Sequence, residues 1–261
     1  MRLVVVLLLL LLSSCRQGEV EPSGELSAAE GVCRSIMFEE SRFTACKPAN
    51  ARLELYAAGA DDPPLRSFAA LGAALGGRAE DVQFAMNAGM FDEEGRPIGL
   101  AVSSGKEVHR INRRRGTGNF HLMPNGVFLV RGDGSAAVVP TSDYRGEDVV
   151  LASQSGPLLL INGKLHPRFE ADGESRYARN GVGVDRGGTP VFVISDDAVS
   201  FGKLARVLRD EFNSVDALYF DGSVSSLWDP ANNRMDSFAP LGPMIVAVEQ
   251  NPASSGGQRG G

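Results

Sequence analysis

Apolar residues recur along this chain in short runs, most of them β-branched or aromatic, and Gly, Pro, Asn or Asp flank most of the runs. Such punctuation is what strands packed into sheets require. Eleven segments fit: residues 52–56, 82–86, 100–102, 127–130, 136–139, 149–152, 158–161, 181–184, 191–194, 217–220 and 244–248. Asn162-Gly163, directly after 158–161, predicts a two-residue type I′ hairpin turn, because both central residues of that turn need positive φ. Two stretches carry helical spacing instead. Residues 65–75 set Leu65, Phe68, Ala69 and Leu75 along one side. Residues 201–212 set Phe201, Leu204, Ala205, Leu208 and Phe212 in a stripe, with Lys203, Arg206, Arg209 and Asp210 outside. The expected fold class is α+β, a single domain with a large mixed, mainly antiparallel β-sheet and about two helices. A doubly wound fold would need more helices than these.

The ends of the chain break this pattern. Met1-Arg2 is a short positive start, and residues 3–12 are an unbroken run of Leu and Val. Ten residues of helix reach about 15 Å, roughly half of a bilayer core, so the run predicts a secretory signal rather than a span. It ends in Leu12-Ser13-Ser14-Cys15, which resembles a bacterial lipobox, whose Cys is lipidated and becomes the mature N-terminus. The expected organisation is a signal peptide over 1–14, lipidated Cys15 with a flexible tether to residue 31, a domain over 32–250, and a disordered Gly/Ser-rich tail over 251–261. Location follows: the bacterial cell envelope, facing the periplasm, with Arg16 after the lipidated Cys favouring the outer membrane. Export also bears on Cys33 and Cys46. In an oxidising compartment the even pair reads as a disulfide, the alternative being a catalytic thiol, for which neither Cys has a His-linked motif around it.

A formal charge of −6 argues against a nucleic-acid partner, whose phosphates would call for clustered cations. The membrane is expected as a partner through the lipid anchor only. Attention therefore falls on polar clusters at strand ends, where Gly lets a ligand approach the backbone. Three apolar runs stop abruptly in such clusters: at Asn87 and Gly89, at Gln154-Ser155-Gly156, and at Asp221-Gly222-Ser223 with Ser225. A fourth, Glu174 to Asn180 with Arg176 and Arg179, leads into a run instead.

The strings FAMNAGMF, ASQSGPLL, ESRYARNGVGV and LYFDGSVSSLW, in that order, resemble the phosphodiester glycosidase family. GNFHLMPNGVFLV (118–130) and FVISDDAVSFGKLARVLRD (192–210) resemble its bacterial branch, so the likeness spans roughly residues 52–248. One departure stands out. The family often has Asp-Gly-Gly-Gly-Ser where this chain has Asp221-Gly222-Ser223-Val224-Ser225. The resemblance implies hydrolysis of a sugar C1–O–P linkage, with a carbohydrate phosphodiester as substrate and a phosphate monoester released.

That reaction sets requirements. The leaving phosphate is already stable, so acid assistance matters less than for ordinary glycosides. A cation for phosphate, a carboxylate for water or C1, and amides for sugar hydroxyls are needed. Asp221 is the expected catalytic carboxylate, at a strand end where lost solvent would make it a better base. Glu174 is the second. Arg179 is the expected phosphate ligand, because guanidinium donates bidentately to phosphate, with Arg176 in the same shell. Asn87, Gln154 and Asn180 are expected against the substrate as amides. Gly89, Ser155-Gly156 and Gly222-Ser223 would turn backbone N–H groups to it, and Ser225 would add a hydroxyl. His109, His121 and His166 lack metal-ligand spacing, and Asp196-Asp197 alone is a poor cation site, so no metal and no cofactor are expected. Two readings compete with the hydrolase: a glycan or sugar-phosphate binding lipoprotein without turnover, and an envelope assembly factor whose clusters are only turns.

Overall fold

Three sheets meet on one phenylalanine. In the computed structural model, which describes residues 31–59 and 62–250, Phe192 lies 5.3 Å from Phe84 and 5.6 Å from Phe128, centroid to centroid. Each ring comes from a different sheet. The seven-stranded sheet runs Cys33–Phe38, Ser41–Cys46, Pro190–Ser195, Asn180–Val184, Asp216–Tyr219, Leu158–Ile161 and Lys164–Leu165 in spatial order. One five-stranded sheet runs Arg234–Met235, Leu227–Asp229, Val82–Asn87, Met244–Glu249 and Ala51–Tyr56; the other runs Lys106–His109, Ala101–Ser103, Val149–Ser155, Gly126–Arg131 and Ala136–Pro140. The pairings within all three are antiparallel. The α+β class, the single domain and the antiparallel character stand as expected. The strands divide among three sheets because each sheet has an apolar inner face that needs a partner, and the three faces cover one another.

Helix α1 (Phe68–Leu75) covers one five-stranded sheet and helix α2 (Phe201–Asp210) the seven-stranded one. Both start at a serine cap: Ser67 Oγ accepts from Ala70 N–H, and Ser200 Oγ from Lys203 N–H. The buried face of α1 is Phe68, Leu71 and Leu75, while Ala69, expected there, is exposed. Of the expected α2 stripe, Leu204, Ala205, Leu208 and Phe212 are buried and Phe201 is half-buried, but Lys203 is not outside. It is 9% exposed, and its Nζ donates to Glu39 O and Ser41 Oγ, tying the helix to the first hairpin. A long amphipathic side chain does this by burying its stem and paying out its charge to fixed oxygens.

Cys33 and Cys46 are bonded to each other and lie directly opposite in the first hairpin. The reading as a disulfide holds. Asn162 and Gly163 have φ of 50° and 76°, the positive values a type I′ turn needs. Residues 1–30 and 251–261 lie outside the described residues, and with them the signal peptide, Cys15, the tether up to residue 30 and the tail. Among the described residues, no helix is long and apolar enough to cross a membrane.

Candidate active site

Asn87 ends its strand inside the protein, 1% exposed, and its amide organises the site. Its Nδ2 donates to Asp221 O at 2.7 Å, and its Oδ1 accepts from Ser226 N–H at 2.8 Å. Asn180 Nδ2 donates to both Asn87 Oδ1 and Asn87 O at 3.0 Å. Asn180 Oδ1 in turn accepts from the Ser225 hydroxyl at 3.0 Å. Three of the four clusters therefore converge on one buried pair of amides. Both Asn side chains and Ser225 are expected at the substrate, yet they are spent on each other. A buried amide without partners costs about 1–3 kcal/mol, so such a pair holds three turns in register.

Asp221 stands at the edge of this frame, partly exposed rather than buried. Its backbone N–H donates to Ala88 O, and its Oδ1 accepts from Ser223 N–H at 3.1 Å and Ser223 Oγ at 2.6 Å. It caps the short 3-10 turn Gly222–Val224. Gly222 is required by space: the Tyr219 hydroxyl sits where a Cβ would go.

Arg179 is 2% exposed and points away from solvent. Its Nε donates to Val199 O, one terminal nitrogen to Tyr219 Oη, and the other to Ser175 O and Oγ. The guanidinium carbon lies 3.7 Å from the Phe201 ring centroid. Burial pulls its pKa down, with Tyr219 working against the shift. Burial likewise pushes the Tyr219 phenol up, with Arg179 opposing and the Asp221 charge adding to the rise. A phosphate ligand is expected here and a strut is found: Arg179 lies just before strand Asn180–Val184, and its guanidinium is taken up by Val199, Tyr219, Ser175 and the Phe201 ring.

The Gln154 cluster joins through backbone, because Gly89 packs directly on Gln154 O, and its N–H donates to Ser153 Oγ. The Gln154 side chain turns elsewhere. Its Oε1 accepts from Leu100 and Asn112 N–H, and its Nε2 donates to Asn112 O and Thr141 Oγ1. All four of its hydrogen-bonding positions are used. Ser155 is fully buried, and Gly156 packs on Asn125 and Phe120 O. Neither faces solvent.

What remains open to a ligand is Glu174, Arg176, Asp221 and Ser223, of which Glu174, Arg176 and Ser223 are exposed. Tyr219, Ser175 and Phe201 were not candidates in the sequence; Tyr219 lay in the LYFDGS string, but a strand Tyr carries no sign of which side it faces. A cleft of about 690 Å³ lies away from all four clusters, between strand Ala51–Tyr56 and the segment around Ser103 and Val150. Its polar wall is the Glu54, Arg78 and Tyr56 network, closed on itself by contacts of 2.8–3.1 Å. The site is placed by the convergent frame rather than by cavity size.

An α+β domain that pins three Gly-flanked polar turns to one buried amide pair, and leaves two carboxylates and an arginine at its rim, has the make-up of a polar-substrate enzyme. The chain belongs to the phosphodiester glycosidase family, whose model matches residues 80–248. Uncharacterized protein YigE of Escherichia coli (strain K12) is 37% identical over 147 residues, a stretch that is 56% of this chain and 58% of that protein. The fold is similar to the catalytic domain of zebrafish N-acetylglucosamine-1-phosphodiester alpha-N-acetylglucosaminidase, solved auto-inhibited by its pro-peptide. That match has a TM-score of 0.56 at 16% identity and covers 84% of this chain and 82% of the other.

Proposed function

We propose that this chain is an exported, lipid-anchored hydrolase of sugar C1–O–P phosphodiesters, acting on glycans of the cell envelope. The observation that carries the reading is the placement of Asp221: its main chain is fixed by Asn87 and Ala88, while its carboxylate reaches the surface. A general base needs that combination of fixed position and access to water. In the proposed step Asp221 takes a proton from water as the water oxygen bonds to C1. The C1–O bond breaks, and its electrons leave with the phosphate monoester. Arg176, exposed on the segment whose Ala178 O meets Ser225 Oγ, takes the phosphate role that Arg179 cannot fill while it is engaged within the protein. Glu174 flanks C1 as the second carboxylate. Lipidation at Cys15 and the outer-membrane location belong to the same proposal and rest on the sequence of residues 1–16.

One observation favours the second reading, a sugar-phosphate binding lipoprotein without turnover. With Arg179 and Gln154 saturated internally, fewer groups remain to stabilise a transition state. The test is release of a phosphomonoester from synthetic sugar 1-phosphodiesters. Turnover that falls by about 10² to 10⁴ in Asp221→Asn, with substrate binding kept, supports the hydrolase. Binding by the wild type without turnover overturns it in favour of the binding protein.

A further inference from the structure

We infer that the ring of Tyr177 is the platform on which the sugar ring of the substrate stacks. This rests on the reading of the site as one for sugar phosphodiesters and adds the group that holds the pyranose. Tyr177 is 64% exposed, whereas most large apolar side chains of the domain are buried. Met37, Met123, Val150, Met235 and Phe238 are also exposed, but none of them belongs to the four polar clusters.

The exposed ring stands on a fixed stem. Tyr177 N–H donates to Val199 O at 3.2 Å, and Val199 N–H donates back to Tyr177 O at 2.9 Å, an isolated antiparallel bridge. Behind the ring, the Arg179 guanidinium carbon lies 5.5 Å from its centroid. A cation on one face orients the ring and leaves the other face to solvent. Its neighbours belong to the site. Ser175 O and Oγ accept from Arg179, Ala178 O lies 3.4 Å from Ser225 Oγ, and Glu174 and Arg176 are exposed on the same segment. A pyranose presents a patch of C–H groups on one face and hydroxyls around its rim. The patch carries slight positive charge and suits the negative face of an aromatic ring, while the rim hydroxyls suit a flanking carboxylate and guanidinium. A rigid aromatic platform loses little side-chain entropy on binding, so the area it buries goes largely into affinity.

The test uses the mature protein with methyl phosphodiesters of N-acetylglucosamine 1-phosphate and of glucose 1-phosphate, and dimethyl phosphate as the probe without a ring. Saturation-transfer NMR reads which sugar protons touch the protein, and initial rates give KM and kcat. In the wild type and in Tyr177→Phe, the C–H protons of one sugar face receive saturation. In Tyr177→Ala that contact disappears and KM rises about ten-fold, with kcat within about two-fold of wild type and an unchanged melting temperature. Wild-type contact and KM in Tyr177→Ala would overturn the platform while leaving hydrolysis intact. Sugar contact that depends on Tyr177 in a protein without turnover would keep the platform and overturn the hydrolase. A wild type that engages dimethyl phosphate as well as either sugar phosphodiester overturns the platform, and one that engages none of the three overturns both.

Discussion

Asn180 donates from one nitrogen to two oxygens of Asn87, the side-chain Oδ1 and the main-chain O, each at 3.0 Å and across 93 residues of sequence. The pair ties the seven-stranded sheet to a five-stranded one at the point where both feed the candidate site. Its worth lies in giving each side-chain nitrogen and oxygen of both amides a partner, because a buried polar network holds a unique arrangement only when every member is satisfied.

Asn180→Ala removes both bonds and the side-chain acceptor of the Ser225 hydroxyl, leaving Asn87 Oδ1 with Ser226 N–H and Ser225 Oγ with the main-chain oxygens of Gly222 and Ala178. The expected cost is roughly 2–4 kcal/mol of unfolding free energy, from the lost buried hydrogen bonds together with the cavity left behind. Asn180→Asp puts an acceptor against two acceptors and is expected to cost at least as much at neutral pH. Urea unfolding of both variants checks this, and a loss under about 0.5 kcal/mol, the range of ordinary surface changes, would contradict it.

Much of the strand layout was legible because short apolar runs bounded by turn residues mark strands, several of them buried along nearly their whole length, and the eleven expected segments all contain strand. Ser41–Cys46 escaped: Ser, Arg, Thr and Ala interrupt the apolar pattern, and burial of Thr44 depends on its hydroxyl reaching Asp196. Three of the four clusters meet on the amide pair, since Gly-flanked polar strand ends are poor cores and good turns. The roles within them were not legible. The direction of Arg179 depends on its packing against Phe201 and Tyr219, and Gln154 is claimed by the loop around Asn112, none of which a linear pattern encodes.

The acid limb of the stability curve has two expected stages. Burial holds the His166 imidazole below its ordinary 6.5. A depressed histidine contributes stability that is present above the unfolded value and is lost as pH falls through the folded one, so the decline begins below about 6.5. Burial alone would raise Glu54, but Arg78 and Arg52 more than reverse it, and Arg206 lowers Glu39 despite some desolvation. Both carboxyls then sit below 4.5, and their contribution is lost only as pH falls under that value. Urea midpoints at pH 7.5, 5.5 and 3.5 should fall in both intervals. His166→Gln should flatten the first and Glu54→Gln part of the second.

The bond between Cys33 and Cys46 closes a loop with a sequence separation of 13 and fastens the edge strand Cys33–Phe38 to Ser41–Cys46, the strand that pairs with the rest of the seven-stranded sheet. Cross-linking a loop of that length restricts the unfolded chain by about 3 kcal/mol. The Cys33→Ala/Cys46→Ala double variant should lose about that much stability, while the kcat of any measured turnover stays within about two-fold, because neither Cys touches the four clusters. A thiol reagent that abolishes turnover of the folded, oxidised protein would contradict this.

Arg179 and Arg176, three residues apart, should separate in the type of defect they give. Arg179 has its hydrogen bonds inside the protein, to Val199, Tyr219 and Ser175, and its charge is balanced by ring faces rather than by a carboxylate. Lysine cannot reproduce that planar fork, so Arg179→Lys leaves at least one of those oxygens without a donor. Losing a hydrogen bond from a buried charged group costs about 1.5–3 kcal/mol of stability. Turnover should fall through kcat, because Ser175 and Tyr219 no longer hold the Glu174 segment and the Asp221 turn together. Arg176→Ala removes an exposed side chain with no ion pair among the described residues, so stability should change by less than about 0.5 kcal/mol. Its effect should appear in KM, and in the affinity for the phosphomonoester product, as a loss of roughly ten-fold from one charge-assisted contact. Isothermal calorimetry with the product phosphate, set beside urea unfolding of the same two variants, decides the matter. Product affinity lost in Arg179→Lys at unchanged stability would return the phosphate role to Arg179.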